Sequence, residues 1–163
     1  MTKLILLDRL RERVGKEISV SDWIEIKQDR IDAFANCTGD YQWIHTNPAA
    51  AKKGPFEATI AHGYLLLSLL VTMSDWMKMG TEEVLVINYG LNRVRFVSPV
   101  KVGARVRNHA VIFEVKEKSE DRILVTAGNT IEIEGEREPA LVAETVTMFF
   151  AQLSKAKDQE QDS

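Results

Sequence analysis

The stretch Thr38-Gly-Asp-Tyr-Gln-Trp-Ile-His-Thr-Asn-Pro48 brings a carboxylate, an imidazole, a carboxamide and two large aromatics close together in the chain. On a regular helix of 3.6 residues per turn Asp40 and His45 would point roughly 140° apart, so they can converge only on a turn. Gly39 before the aspartate and Asn47-Pro48 after the histidine supply the backbone punctuation for one. A carboxylate and an imidazole that share a water can take a proton from it and return one to a neighbouring atom, and such help contributes about 10²–10⁴-fold in rate. The alternative is that Asp40 closes the turn and His45 packs beneath the loop, since Asp and His are also common on surfaces.

A second candidate is Ala61-His62-Gly63, just ahead of the apolar run Tyr64-Leu-Leu-Leu-Ser-Leu-Leu-Val-Thr-Met73. The first N–H groups of a helix are unpaired and its dipole is positive there, so this end can hold an oxyanion such as a polarised thioester or ester carbonyl. Gly63 would let a ligand approach the backbone closely, although glycine near a helix start is also commonplace. His62 is read as part of the helix mouth. Ser68 is open between a ligand contact and a bond back to the carbonyl of Tyr64.

Charge placement is the third feature. From Val84 to Phe113 there is no Asp or Glu, whereas Arg93, Arg95, Lys101, Arg105 and Arg107 all fall there. They could serve the phosphates of a nucleotide-bearing carrier, or they could face solvent and pair with the acid-rich stretch Glu114 to Glu138 on neighbouring strands. Cys37 is expected to be a small buried filler, His109 has no evident partner, and Lys52-Lys53 suits the dipole near a helix end.

The wider composition narrows the classes. A chain of 163 residues has room for one domain, and its single cysteine with three histidines excludes both a disulfide scaffold and a spaced zinc pattern. With 45% hydrophobic and 28% charged residues it can bury a real core. A net charge of -3 offers no general attraction for nucleic acid, and the longest apolar stretch is too short to span a bilayer. Leu4 to Leu7 runs straight into Asp8, Arg9 and Arg11 without a small-residue cleavage site. The protein is therefore expected to be cytoplasmic, with no nucleic-acid or membrane partner.

The elements that must position these residues can be traced along the chain. Thr2 is a plausible cap for a short helix in which Leu6, Leu7, Leu10 and Val14 recur, stopped by Gly15. Trp23 to Ile26 suggests a brief strand. Asp29 opens a second helix, with Ile31, Phe34 and Ala35 on one face, that ends at Thr38-Gly39, and Gly39 to Asn47 is expected to be a loop. Asn47 can cap a one-turn helix beginning at Pro48 and stopped by Gly54-Pro55. The run from Tyr64 through Trp76 and Met77 is apolar nearly all the way round, which implies a helix surrounded by protein on most sides. Strands are expected at Val84–Tyr89, Asn92–Val97, Ala104–Lys116, Arg122–Glu134 and Ala140–Leu153. Helices first and strands later indicate an α+β fold in which an antiparallel sheet curls around one apolar helix. Residues 1–153 are taken as the domain and 154–163 as a disordered polar tail.

Phe34-Ala-Asn-Cys-Thr-Gly-Asp-Tyr-Gln-Trp-Ile-His-Thr-Asn-Pro48 resembles the hydratase-2 motif of the MaoC-like dehydratases, the (R)-specific enoyl-CoA hydratases. Together with the Ile60-Ala-His-Gly-Tyr-Leu65 and Asn88-Tyr-Gly-Leu-Asn-Arg-Val-Arg-Phe96 segments, it is most similar to their nodulation-protein-N-like branch. The resemblance covers roughly residues 15 to 150. It implies a hot-dog fold, a homodimer with sheets joined edge to edge, Asp40 and His45 as the catalytic pair, the Gly63 N–H as oxyanion donor, and Ser68 near the pocket. The family commonly has Asn-Pro where this chain has Gln42-Trp43, so these two residues, with Ser68, Arg93 and Arg95, are the substrate-contact candidates. The activity implied is reversible syn hydration of a trans-2-enoyl thioester, carried by CoA or an acyl carrier protein, to the (R)-3-hydroxyacyl thioester, with no metal or redox cofactor. The rivals are a hot-dog acyl-CoA thioesterase using Asp40 as base and a non-enzymatic acyl-thioester binding module.

Overall fold

The computed structural model describes residues 3–79 and 84–150. Strands β1 (Glu17–Val20), β2 (Ile24–Glu25), β3 (Leu85–Phe96), β4 (Arg105–Ser119), β5 (Arg122–Ile133) and β6 (Leu141–Phe150) form one antiparallel sheet in the order β1-β4-β5-β6-β3, with β2 also on β4. The period-two alternation of the sequence decides which face is which. Val106, Ala110 and Ile112 of β4 and Ile123, Val125, Ala127, Ile131 and Ile133 of β5 are buried on one face, while Arg105, Arg107 and His109 point to the other.

Two apolar clusters share that inner face. One gathers Leu65, Leu66, Leu70 and Met73 of helix α5 (Gly63–Met73) against Val106, Ile131, Leu141 and Ala143. The other places Leu6, Leu7 and Leu10 of helix α1 (Lys3–Arg11), with Trp76, on Ala110, Ile112, Ile123 and Phe149. A nine-residue helix is marginal alone; burying three leucines, at about 1.5–3 kcal/mol each, is what fixes α1 on the sheet. Between the clusters a buried chain of hydrogen bonds runs from the Asn108 amide to Asn129 Oδ1 and from the Asn129 amide to the Thr145 hydroxyl.

Several expectations are corrected here. α1 ends at Arg11, and Val14 instead forms a bridge to Ile112. Val84–Tyr89 and Asn92–Val97 are one strand, β3, because the irregularities at Asn88/Gly90 and Leu91/Arg93 bend the ladder without breaking it. β1 has no counterpart in the sequence reading. α5 stops at Met73, and Trp76 and Met77 belong to a separate 3-10 turn, Asp75–Met79. α5 also keeps one face open: Tyr64, Ser68, Val71 and Thr72, spaced as one helical side, are exposed. Cys37 is exposed and fills no core. Thr2, the tail at 154–163 and the end of the last expected strand lie outside the described residues. Among the described residues no helix is long and apolar enough to cross a membrane.

Candidate functional site

Helix α2 (Gln28–Thr38) is stopped by Gly39, whose left-handed φ of 78° few other residues adopt readily and whose N–H closes on the Ala35 carbonyl. The chain then turns through Asp40 and Tyr41 into a single helical turn, α3 (Trp43–Thr46), where the sequence predicts a loop. Gln42 starts it with its carbonyl, which accepts from His45 N–H at 2.9 Å and Thr46 N–H at 3.3 Å. Asn47 separates α3 from α4 (Pro48–Ala51), and its side chain caps α4 by accepting from Ala50 N–H at 3.0 Å. The break between α2 and α3, with Asp40 in the turn and His45 on α3, is what lets the two escape the roughly 140° divergence of one regular helix.

His45 is buried, at 7% exposure. Its Nδ1–H donates to the Ile60 carbonyl at 2.7 Å, and Ile60 N–H donates in turn to the Ile44 carbonyl at 3.0 Å. Gln28 ties the same pieces together: its amide donates to the His45 carbonyl at 2.8 Å and its oxygen accepts from the Thr59 hydroxyl at 2.5 Å. A carbonyl can only accept, so the neutral ring carries its proton on Nδ1 and leaves Nε2 as a free acceptor. Burial lowers the pKa of His45. The Ile60 bond raises it, His62 lowers it and Asp40 raises it, but burial dominates and the net shift is downward. The imidazole is thereby kept neutral and able to accept a proton.

Asp40 lies beside this ring with its carboxylate 55% exposed. Nitrogen or oxygen atoms of Asp40, His45 and His62 lie within 4.8 Å of one another, so the convergence expected of the pair is present and a third member joins it. That spacing is compatible with a shared cation, but the two histidine rings stack with centroids 3.8 Å apart and 26° between planes. Nearly parallel rings cannot both aim an in-plane lone pair at one ion about 2 Å away unless one swings aside.

The wall next to His45 is a cavity of about 240 Å³ lined by Ile60, Ala61, Gly63, Leu66, Phe96 and Val100 among others. Gly63 opens α5, where its N–H belongs to the unpaired first turn. A Cβ on Gly63 would sit 2.9 Å from the Phe96 ring, so it is a protein aromatic that uses the absence of a side chain. Phe96 meets Tyr64 edge-on at 5.6 Å and stands at this mouth.

The remaining candidates are dispersed. Gln42 acts through its backbone, and the Trp43 ring packs over Gly54, where a Cβ would meet it at 2.8 Å. Ser68 donates to the Tyr64 carbonyl at 2.8 Å, the plainer of its two readings, and also lines a second cavity of about 430 Å³ with Leu67, Val71, Ser74 and β3. Arg93 and Arg95 are exposed on β3, and Arg95 donates to the Val94 carbonyl. Arg105 and Arg107 are taken by Glu134 and Glu132 at 2.8 and 2.6 Å and pack on Trp23. His109 does have partners: Nδ1 lies 2.8 Å from Glu17 and Nε2 2.8 Å from Glu132. The sequence places His62 at the helix mouth but not against the Asp40–His45 pair, and it assigns no role to Gln28, Ile60 or Phe96. Only His62 left a usable signal, as a histidine where a helix would ordinarily begin with a capping hydroxyl or carboxylate.

Comparison with known proteins places the chain in a family and a fold. Residues 9–134 match the family described as MaoC like domain. The 3-hydroxyacyl-thioester dehydratase Z of Mycobacterium tuberculosis is 42% identical over 142 residues, 87% of this chain and 94% of that protein. Nodulation protein N of Rhizobium leguminosarum bv. viciae is 45% identical over 151 residues, 91% of this chain and 93% of that protein. Among solved structures, the (R)-hydratase from A. caviae involved in PHA biosynthesis superposes with a TM-score of 0.64 at 25% identity, covering 80% of this chain and 96% of that one. The α+β architecture, an antiparallel sheet around α5, is that of the hot-dog hydratases.

Proposed function

Because the chain belongs to the MaoC-like dehydratase family, we propose that it is a hydro-lyase that reversibly hydrates trans-2-enoyl thioesters to (R)-3-hydroxyacyl thioesters. The observation that carries this is a buried, neutral His45 in a fixed tautomer beside the Asp40 carboxylate, at a cavity whose wall includes the start of α5. The thioester carbonyl is polarised by the Gly63 N–H and the helix dipole, which draws electron density from C3. Water bound by Asp40 and His45 adds its oxygen to C3 as one of its protons passes to Nε2 of His45. The pair returns a proton to C2 on the same face, so one water is consumed and the pair regains its starting charge.

The acyl chain runs along the open side of α5 toward the 430 Å³ cavity. Arg105 and Arg107 are engaged by glutamates, whereas Arg93 and Arg95, exposed on β3, are the contacts for carrier phosphates, of CoA or an acyl carrier protein. The homodimer belongs to the same proposal. β3 is the last strand of the sheet, and Leu85, Ile87, Tyr89 and Leu91 on it, with Tyr64 and Val71 on α5, are exposed apolar groups that a second copy would cover.

The test uses purified protein with trans-2-enoyl-CoA and with saturated acyl-CoA. Loss of enoyl absorbance without release of free thiol is expected. Thiol release from the saturated substrate with the enoyl absorbance unchanged would make it a thioesterase, and binding without turnover of either would make it a binding module.

A further inference from the structure

One buried ionisable side chain has no part in the hydration scheme, yet it touches both members of the pair. His62 is 3% exposed, its ring stacks on that of His45, and Phe34 packs against it at 5.1 Å. Its Nε2–H donates to the main-chain carbonyl of Asp40 at 3.0 Å and lies 3.9 Å from Asp40 Oδ2. The other hydrogen bonds around Asp40 are long: its N–H reaches Thr38 Oγ1 at 3.4 Å, and its Oδ1 accepts from Gln42 N–H at 3.4 Å.

We propose that His62 is a positioning residue for the acid–base pair: its Nε2–H holds the Asp40 backbone while its ring face holds the His45 imidazole, so that one side chain sets the separation of the two. This rests on the hydration reading given above. Two features of His62 set it apart from a core filler. It stands at the N-cap of α5 without giving that helix a side-chain cap, and it buries an Nδ1 that has no hydrogen-bond partner. Buried polar atoms without partners are rare in folded proteins and call for an explanation. An exposed Asp40 on a turn needs such a tether, because displacement of a catalytic group by about 1 Å can lower a rate by about 10²-fold.

Hydration kinetics of His62→Phe and His62→Gln, with melting curves to verify folding, test the proposal. His62→Phe keeps a ring against His45 and loses the donor; kcat should fall about 10- to 100-fold while KM stays within about threefold. His62→Gln can return an N–H near the position of Nε2 and should recover at least about fivefold of that loss. The pH profile supplies a separate readout. The titratable groups that act on His45 are Asp40, which favours its protonated form, and His62, which opposes it; Gln28, Thr59 and Ile60 around them do not titrate. The acidic limb of kcat should therefore move to higher pH in His62→Phe.

An unchanged kcat and acidic limb in His62→Phe overturns the proposal, as does a Gln variant no faster than Phe. If His62→Phe does not fold, His62→Asn takes its place, too short to reach the Asp40 carbonyl, and it must be slower than His62→Gln. Asp40→Asn and His45→Gln separate the two claims. If both keep hydrating, the assignment of Asp40 and His45 as the acid–base pair fails; if both lose activity while the His62 variants do not, only the role given to His62 fails.

Discussion

His45 and His109 are the same side chain put to opposite uses. Both are removed in part from water, and in both burial is the largest single influence and opposes protonation. They differ in what their nitrogens meet. His45 Nδ1 meets a neutral carbonyl, so burial prevails and the ring is held neutral. His109 sits on the outer face between Glu17 of β1 and Glu132 of β5, whose hydrogen bonds and charge outweigh burial and raise its pKa. Glu132 is held below the ordinary glutamate range, first by its bond to Arg107 and then by His109. The first histidine can accept a proton; the second keeps one and fastens three strands together. It is the charge of the partner, more than the depth of burial, that sorts a proton carrier from a cross-link.

The largest effects should come from breaking the inner site. Asp40→Asn and His45→Gln should each lower hydration at least about 100-fold, with melting temperature and oligomer size unchanged. Next comes Gly63→Ala, whose methyl would collide with Phe96; hydration should fall about 10-fold or more as ring and helix start are pushed apart, and Phe96→Ala in the same chain should recover part of it.

The outer site should respond in stability alone. His109→Gln should leave hydration within about twofold and destabilise the fold by about 1 kcal/mol, the upper range for partly exposed ion pairs. The sign with pH follows from the shift. With its folded pKa raised above the ordinary 6.5, His109 contributes fully below 6.5 and loses that contribution as pH rises through the folded value. The stability gap between wild type and His109→Gln, read from denaturant titrations, should therefore be widest at mildly acidic pH and close on the alkaline side. His45 has the opposite sign: its lowered pKa contributes stability above 6.5 that is lost as pH falls through the folded value.

Sequence patterns revealed what depends on neighbours along the chain. The Gly39 stop, the Asn47-Pro48 cap and the Asp40–His45 turn are local devices, and each is present. The inward alternation of β4 and β5 is local as well. What depends on distant partners was not legible. Glu17 lies 92 residues from His109 and Phe96 reaches Gly63 across the fold, and no spacing rule connects them. β1 alternates polar and apolar as Glu17-Ile18-Ser19-Val20, but a run of four residues is too short to stand out from its surroundings. The residues around Gly90 read as a turn between two strands, since glycine and asparagine mark a bulge and a turn alike. The open side of α5 was missed because an apolar helix looks the same whether its last face meets its own chain or another surface.

The most direct test follows the individual imidazole resonances of His45 and His109 by NMR across pH, beside the hydration rate over the same range. His45 should titrate below the ordinary histidine value of 6.5, with the acidic limb of the rate following it, while His109 titrates above that value. A His45 that titrates at or above 6.5, or a rate that follows His109 instead, would contradict the assignment of His45 as the neutral proton acceptor.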